Sequence, residues 1–88
     1  MITTEQVNEI AAKIDILGVD EATVSELRQD YHPIHFTYCM DDDLPNNTPV
    51  IEHEAFNLYL IDGREHCLCL TNDYDVATGI VVAEIIAD

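Results

Sequence analysis

At Pro33 the apolar pattern of this 88-residue chain changes period, and that change constrains the fold more than any other feature of the sequence. Before it, apolar residues recur at the spacing of a helix face. After it they alternate, as in strands that bury one side. A chain built this way folds helices first and sheet second, which is the α+β arrangement.

The helical half carries its own punctuation. Thr3 stands three residues before Gln6, the spacing of a capping box, and Ile2 and Val7 flank it as a hydrophobic staple. Val7, Ile10, Ala11, Ile14 and Leu17 then form one apolar stripe, and Gly18 is placed to end the helix in a left-handed conformation. Asp20 offers a second N-cap between Val19 and Val24. Val24, Leu27 and Tyr31 continue a second helix face until Pro33 stops it. The spacing predicts an αα-hairpin with a very short turn.

In the second half, Ile34, Phe36 and Tyr38 alternate with His35, Thr37 and Cys39 as a first strand. The run from Asp41, Asp42 and Asp43 to Pro49 has the charge and the prolines of an exposed loop. Phe56 to Ile61 and His66 to Leu70 flank Asp62-Gly63, the pattern of a hairpin about a short turn. The last segment is open between helix and strand over 78–86; a turn at Asp73 to Ala77 followed by a β-branched strand suits it better. The expected fold is a single domain over 1–88, an N-terminal αα-hairpin packed on a mainly antiparallel four-stranded sheet. A chain of this length buries about 60–65% of its unfolded surface.

With Ile34, Phe36, Tyr38, Phe56, Leu58, Leu60, Leu68 and Leu70 turned to the helices, the opposite face carries His35, Thr37, Cys39, Asn57, Tyr59, Ile61, Cys67 and Cys69. Two short helices leave that second face open. It is either an interface, centred on Tyr59 and Ile61, or it lies under the acidic loop or the final segment.

Charge narrows the function. Eighteen acidic residues stand against Lys13, Arg28 and Arg64, a formal net charge of −15. No basic cluster exists to displace the counterions of DNA or RNA. Apolar residues at 48% still support a core. No apolar stretch has membrane-spanning length and no export signal opens the sequence, so a cytoplasmic protein is expected. A protein partner, basic in character, or a homodimer fits this balance, with Asp41, Asp42 and Asp43 tuning the encounter.

Searches for chemistry end without a catalytic group. Ser25 is the only serine and sits inside the second helix. Glu52-His53-Glu54 lacks the helical spacing of a metalloprotease motif, and three glycines make no phosphate-cradling loop. Asp73, Asp75 and Glu84 match three positions of an EF-hand loop, but Thr78 stands where that loop needs glycine. The rival reading is a metal or iron–sulfur handling protein using His35, Cys39, Cys67 and Cys69. Against it, Cys-x-Cys on a flat strand holds its sulfurs roughly 6–7 Å apart, wide for one ion. Three cysteines in a chain without an export signal argue for reduced thiols rather than a disulfide framework. No catalytic residue, metal or cofactor is expected.

The run His35-Phe36-Thr37-Tyr38-Cys39-Met40-Asp41-Asp42-Asp43, with Phe56-Asn57-Leu58-Tyr59-Leu60, His66-Cys67-Leu68 and Ala77-Thr78-Gly79, resembles a family of short uncharacterised bacterial proteins encoded near nitrogen-fixation genes. The resemblance implies a bacterial cytosolic accessory to nitrogenase assembly, regulation or electron supply. It carries over no catalytic residue.

Overall fold

A computed structural model describes residues 2–44, 48–63 and 69–86. Helix α1 spans Thr4–Leu17 and α2 spans Glu21–Asp30; the strands are β1, His35–Met40; β2, Ile51–Glu52; β3, Phe56–Asp62; β4, Cys69–Thr71; and β5, Gly79–Glu84.

Both helices start where their caps direct. The Thr3 hydroxyl accepts from the Gln6 N–H at 3.1 Å, and the Gln6 side chain accepts from the Thr3 N–H at 3.0 Å. The Asp20 carboxylate accepts from the Thr23 N–H at 2.9 Å. Gly18 closes α1 with its N–H on the Ile14 carbonyl, 2.8 Å away. Its φ of 98° is positive as expected, but its ψ of 159° lies outside the left-handed helical well, in a region open essentially to glycine alone. The buried stripe of α1 is Val7, Ile10 and Ile14; Leu17, expected on it, is the helix's last residue and is 49% exposed.

The sheet is mixed and has five strands, which corrects the mainly antiparallel four-stranded arrangement. Its order is β1-β5-β3-β2, with β4 also paired to β3. β5 enters between β1 and β3, parallel to β1 and antiparallel to β3. The fifth strand is β2, which pairs Ile51 with Leu58 along the half of β3 that β4 leaves open. Residues 74–76 form a turn and Gly79–Glu84 a strand, so the open choice over 78–86 resolves to strand.

The helix-facing core joins Ile2, Val7, Ile10, Ile14, Val24 and Leu27 to Phe36, Phe56, Leu58, Leu60, Ile80 and Val82. A second cluster, Tyr59, Ile61, Val81 and Ala83, lies on the other face with Cys39, Leu44 and Leu70 against it. Leu70 was expected toward the helices. It pairs directly with Ile61, and residues directly opposite each other share a face, so it goes to the second cluster. The turn does not fall at Asp62-Gly63, because Asp62 is still in the ladder, paired with Cys69; residues 64–68 lie outside those described. No helix among the described residues is long and apolar enough to cross a membrane.

Candidate functional site

β1 runs straight into a short 3-10 turn at Asp41–Asp43, and the two together organise the acidic end of the sheet. Asp41 folds back over the second face. Its Oδ1 accepts from the Tyr59 hydroxyl at 2.9 Å and from the Asn57 side-chain N–H at 3.1 Å. Leu44, just beyond, packs on the cluster below. Tyr59 is only 6% exposed beneath this segment, and Ile61, farther along β3 and paired with Leu70, 5%. Tyr59 thus lies beneath the chain's own acidic segment, the second of the two outcomes its composition allowed. Of the three aspartates, Asp41 is half-buried, while Asp42 and Asp43 remain exposed.

Electrostatics follow from that closure. Burial, then the hydrogen bond to Asp41, pushes the Tyr59 phenol above its ordinary value. Burial also raises the Cys39 thiol, with Asp43 and Asp41 adding to the shift. A thiol raised in this way is a poor nucleophile at neutral pH.

On the helix-facing side of the same strand, the Tyr38 hydroxyl donates to Glu84. That bond, followed by burial and the nearby carboxylates of Glu84, Asp20 and Glu21, pushes Tyr38 up to about 12. Among the described residues the backbone of β1 has an open side as well, since β5 is its only sheet neighbour there. The His35 N–H points to β5, where it meets the Thr78 carbonyl at 3.3 Å; by alternation Phe36, Tyr38 and Met40 turn their backbone groups outward. Arg28 takes the Phe36 carbonyl through Nε and Nη2, each at 3.2 Å.

The metal-ligand set does not assemble. Cys39 pairs with Ala83, a neighbour of Asn57, whereas Cys69 pairs with Asp62 at the far end of β3. Strand rise and spacing put the two residues about 20 Å apart. They also lie on opposite faces, because Cys69 shares the face of Asp62 and Cys39 packs on the second cluster. This corrects the placement of Cys69 beside Cys39 and His35; Cys67 lies outside the described residues. No group of three or more His, Cys, Asp or Glu side chains that could hold a metal ion occurs among the described residues. The EF-hand positions separate too, with Asp73 accepting from the Asp75 N–H in a turn and Glu84 held by Tyr38 on β5.

At the opposite end of β1 a groove of about 390 Å³ is lined by His35, Thr37, Ile61, Gly63, Thr78 and Gly79. The strands approach closely there, and a Cβ on Gly79 would stand 2.8 Å from the His35 carbonyl oxygen. Thr78 Oγ1 is occupied by the Gly63 N–H at 3.0 Å. Among the described residues, what remains there is one imidazole and one hydroxyl with no carboxylate lining the groove between them.

His53, weighed in the sequence only as part of Glu52-His53-Glu54, has a role its sequence does not show. Its Nε2 meets Asp15 Oδ1 at 3.1 Å, its Nδ1 accepts from the Ala55 N–H at 3.2 Å, and its ring stacks on Phe56 with centroids 4.4 Å apart. Nε2 ties α1 to the turn between β2 and β3, and Nδ1 holds that turn through the Ala55 N–H, both structural tasks. No local pattern could have signalled it, since Asp15 belongs to a distant helix.

The model of a family described as a family of unknown function, DUF6129, matches residues 7–85. Neither the curated proteins nor the solved structures include a match to this chain.

Proposed function

From the chain's membership of the DUF6129 family, whose description names no activity, we propose on its own geometry that it is a non-catalytic, acidic partner-binding domain of the cytoplasm. The observation that carries this reading is the lack of neutralisation on its surface. Eighteen carboxylate side chains face three basic residues. The two basic residues among those described are both engaged: Lys13 with Asp30 at 2.7 Å, and Arg28 with the Phe36 carbonyl and, at 4.0 Å, Glu21. A surface of this kind steers a basic protein toward it and repels nucleic acid. The acid–base and nucleophilic groups add support, since Cys39 and Tyr59 are raised and half-buried or buried, and His53 is committed on both nitrogens.

The resemblance noted in the sequence suggests the setting, an accessory to nitrogenase assembly, regulation or electron supply in a bacterial cell. The test is affinity capture from nitrogen-fixing cells, followed by binding of the purified pair across a salt series. A basic partner whose affinity falls as salt rises is the expected result. An uncharged or acidic partner bound regardless of salt, or turnover of a substrate, would overturn the reading. Self-association is separable, because like-charged subunits approach more easily as salt screens them, and sedimentation of the protein alone would show it.

A further inference from the structure

The two edges of the sheet are built differently. On one side β3 is covered piecewise by two short strands, Ile51–Glu52 and Cys69–Thr71, a form that blunts strand addition. On the other, β1 presents six residues in one unbroken run. Arg28 closes its Phe36 carbonyl. Farther along, the outward N–H and C=O of Tyr38 and the N–H of Met40 meet no partner among the described residues. Unpaired main-chain groups in a row are a template for another strand.

The surroundings of this stretch say what kind of strand it suits. Asp20, Glu21 and Glu84 lie close enough to Tyr38 to act on its hydroxyl, and Asp41, Asp42 and Asp43 follow Met40 directly. Arg28 is the one cation at this edge among the described residues, and it is already held by Glu21 and the Phe36 carbonyl. A second copy of β1 would bring the same carboxylates against themselves. A lysine- or arginine-bearing strand would meet them as counterions.

We propose that the outer edge of β1, at Tyr38 and Met40, accepts an extended basic segment of a partner protein as an added strand of the sheet. This rests on the reading of the chain as an acidic partner-binding domain and names the contact it uses. Main-chain hydrogen bonds recognise any extended peptide, and the flanking carboxylates select its charge.

Because the recognition is of backbone and charge, a generic probe is sufficient. Two blocked peptides of equal length and charge, one alternating lysine with valine and the other lysine with glycine, would be titrated into the labelled protein at low salt. The expected result is tighter binding of the valine peptide, with the Tyr38 and Met40 amides becoming protected from hydrogen exchange. Met40→Pro removes one outward N–H at a residue whose φ of −86° proline tolerates, and should weaken that binding about tenfold, the loss of about one hydrogen bond. If both peptides bind alike and those amides still exchange, the acidic surface binds charge without adding a strand; the inference falls and the functional reading stands. If neither binds at low salt, both fall. Protection of Tyr38 in the unaltered protein needs no variant, so a misfolded Met40→Pro would leave the test intact.

Discussion

Asp41 accepts hydrogen bonds from two side chains at once, and these bonds hold the start of the acidic segment on the sheet. Removing its carboxylate leaves the Tyr59 hydroxyl and the Asn57 amide facing a covered surface without an acceptor. Asp41→Ala is therefore expected to cost about 1–3 kcal/mol in urea unfolding. Tyr59→Phe, which removes the donor instead, should cost only about 0.5–1.5 kcal/mol. Costs that simply add in the double variant would show that the two groups do not act as a pair. Ile61→Asp, by contrast, would place a charge in a site 5% exposed, so its first effect is on folding and it cannot report a binding contact. Tyr38 makes a prediction in pH. Its hydroxyl ionises near 10.0 in the unfolded chain and at about 12 in the native one. Between those values the unfolded state has lost a proton that the native state keeps, so stability is full below the lower value and declines toward the upper. Tyr38→Phe should flatten that decline, and a decline of the same steepness in the variant would remove Tyr38 as its source.

Elements that depend on neighbours in sequence were legible, and those that depend on distant partners were not. Thr3, Gln6, Asp20 and Gly18 act within a turn of themselves, so both helices start, and α1 stops, where those residues direct. The alternation of β1 and β3 likewise assigns Phe36, Phe56, Leu58 and Leu60 to the helix side, as found. The place of β5 was hidden, because nothing within Gly79–Glu84 distinguishes pairing beside β3 alone from insertion between β3 and β1. What the insertion requires is Gly79. An alanine there sets its Cβ 2.8 Å from a backbone oxygen of β1, which cannot swing aside as a side chain would. Gly79→Ala should cost about 1–3 kcal/mol and loosen the β1–β5 amides first in hydrogen exchange. Protection unchanged along His35–Met40 would mean that the approach of the two strands is not limiting. The Cys69 and Leu70 assignments failed for a related reason. A strand read one residue out of step reverses every side chain, and only the pairing of Ile61 with Leu70 sets the step. For the site, Asp41 to Asp43 were visible as charge, but the return of Asp41 to Tyr59 depends on a strand distant in sequence.

For the molecule as a whole, the closure of both sheet faces and the charge of −15 pull in opposite directions. Packing draws carboxylates from both helices, from β2, β3 and β5 and from the loops onto one small surface, where they repel one another, while unfolding lets them separate. Against this stand few attractions. Lys13–Asp30 is exposed at both ends, 42% and 45%, and pairs of that kind contribute little. Repulsion should therefore outweigh attraction in the electrostatic balance, and salt, which screens both, should stabilise. The melting temperature is expected to rise as sodium chloride is added from low ionic strength to about 0.15 M, where the screening length falls to about 8 Å. For a domain of this size 1 kcal/mol corresponds to about 4–8 °C, so even a modest relief of repulsion is measurable. Neutral osmolytes at equal concentration should not reproduce the low-salt part of the rise, because they leave charges unscreened. A melting temperature that falls with salt would show that local pairs such as His53–Asp15 and Lys13–Asp30 outweigh the net repulsion, and would weaken the case for an acidic surface poised to receive a basic partner.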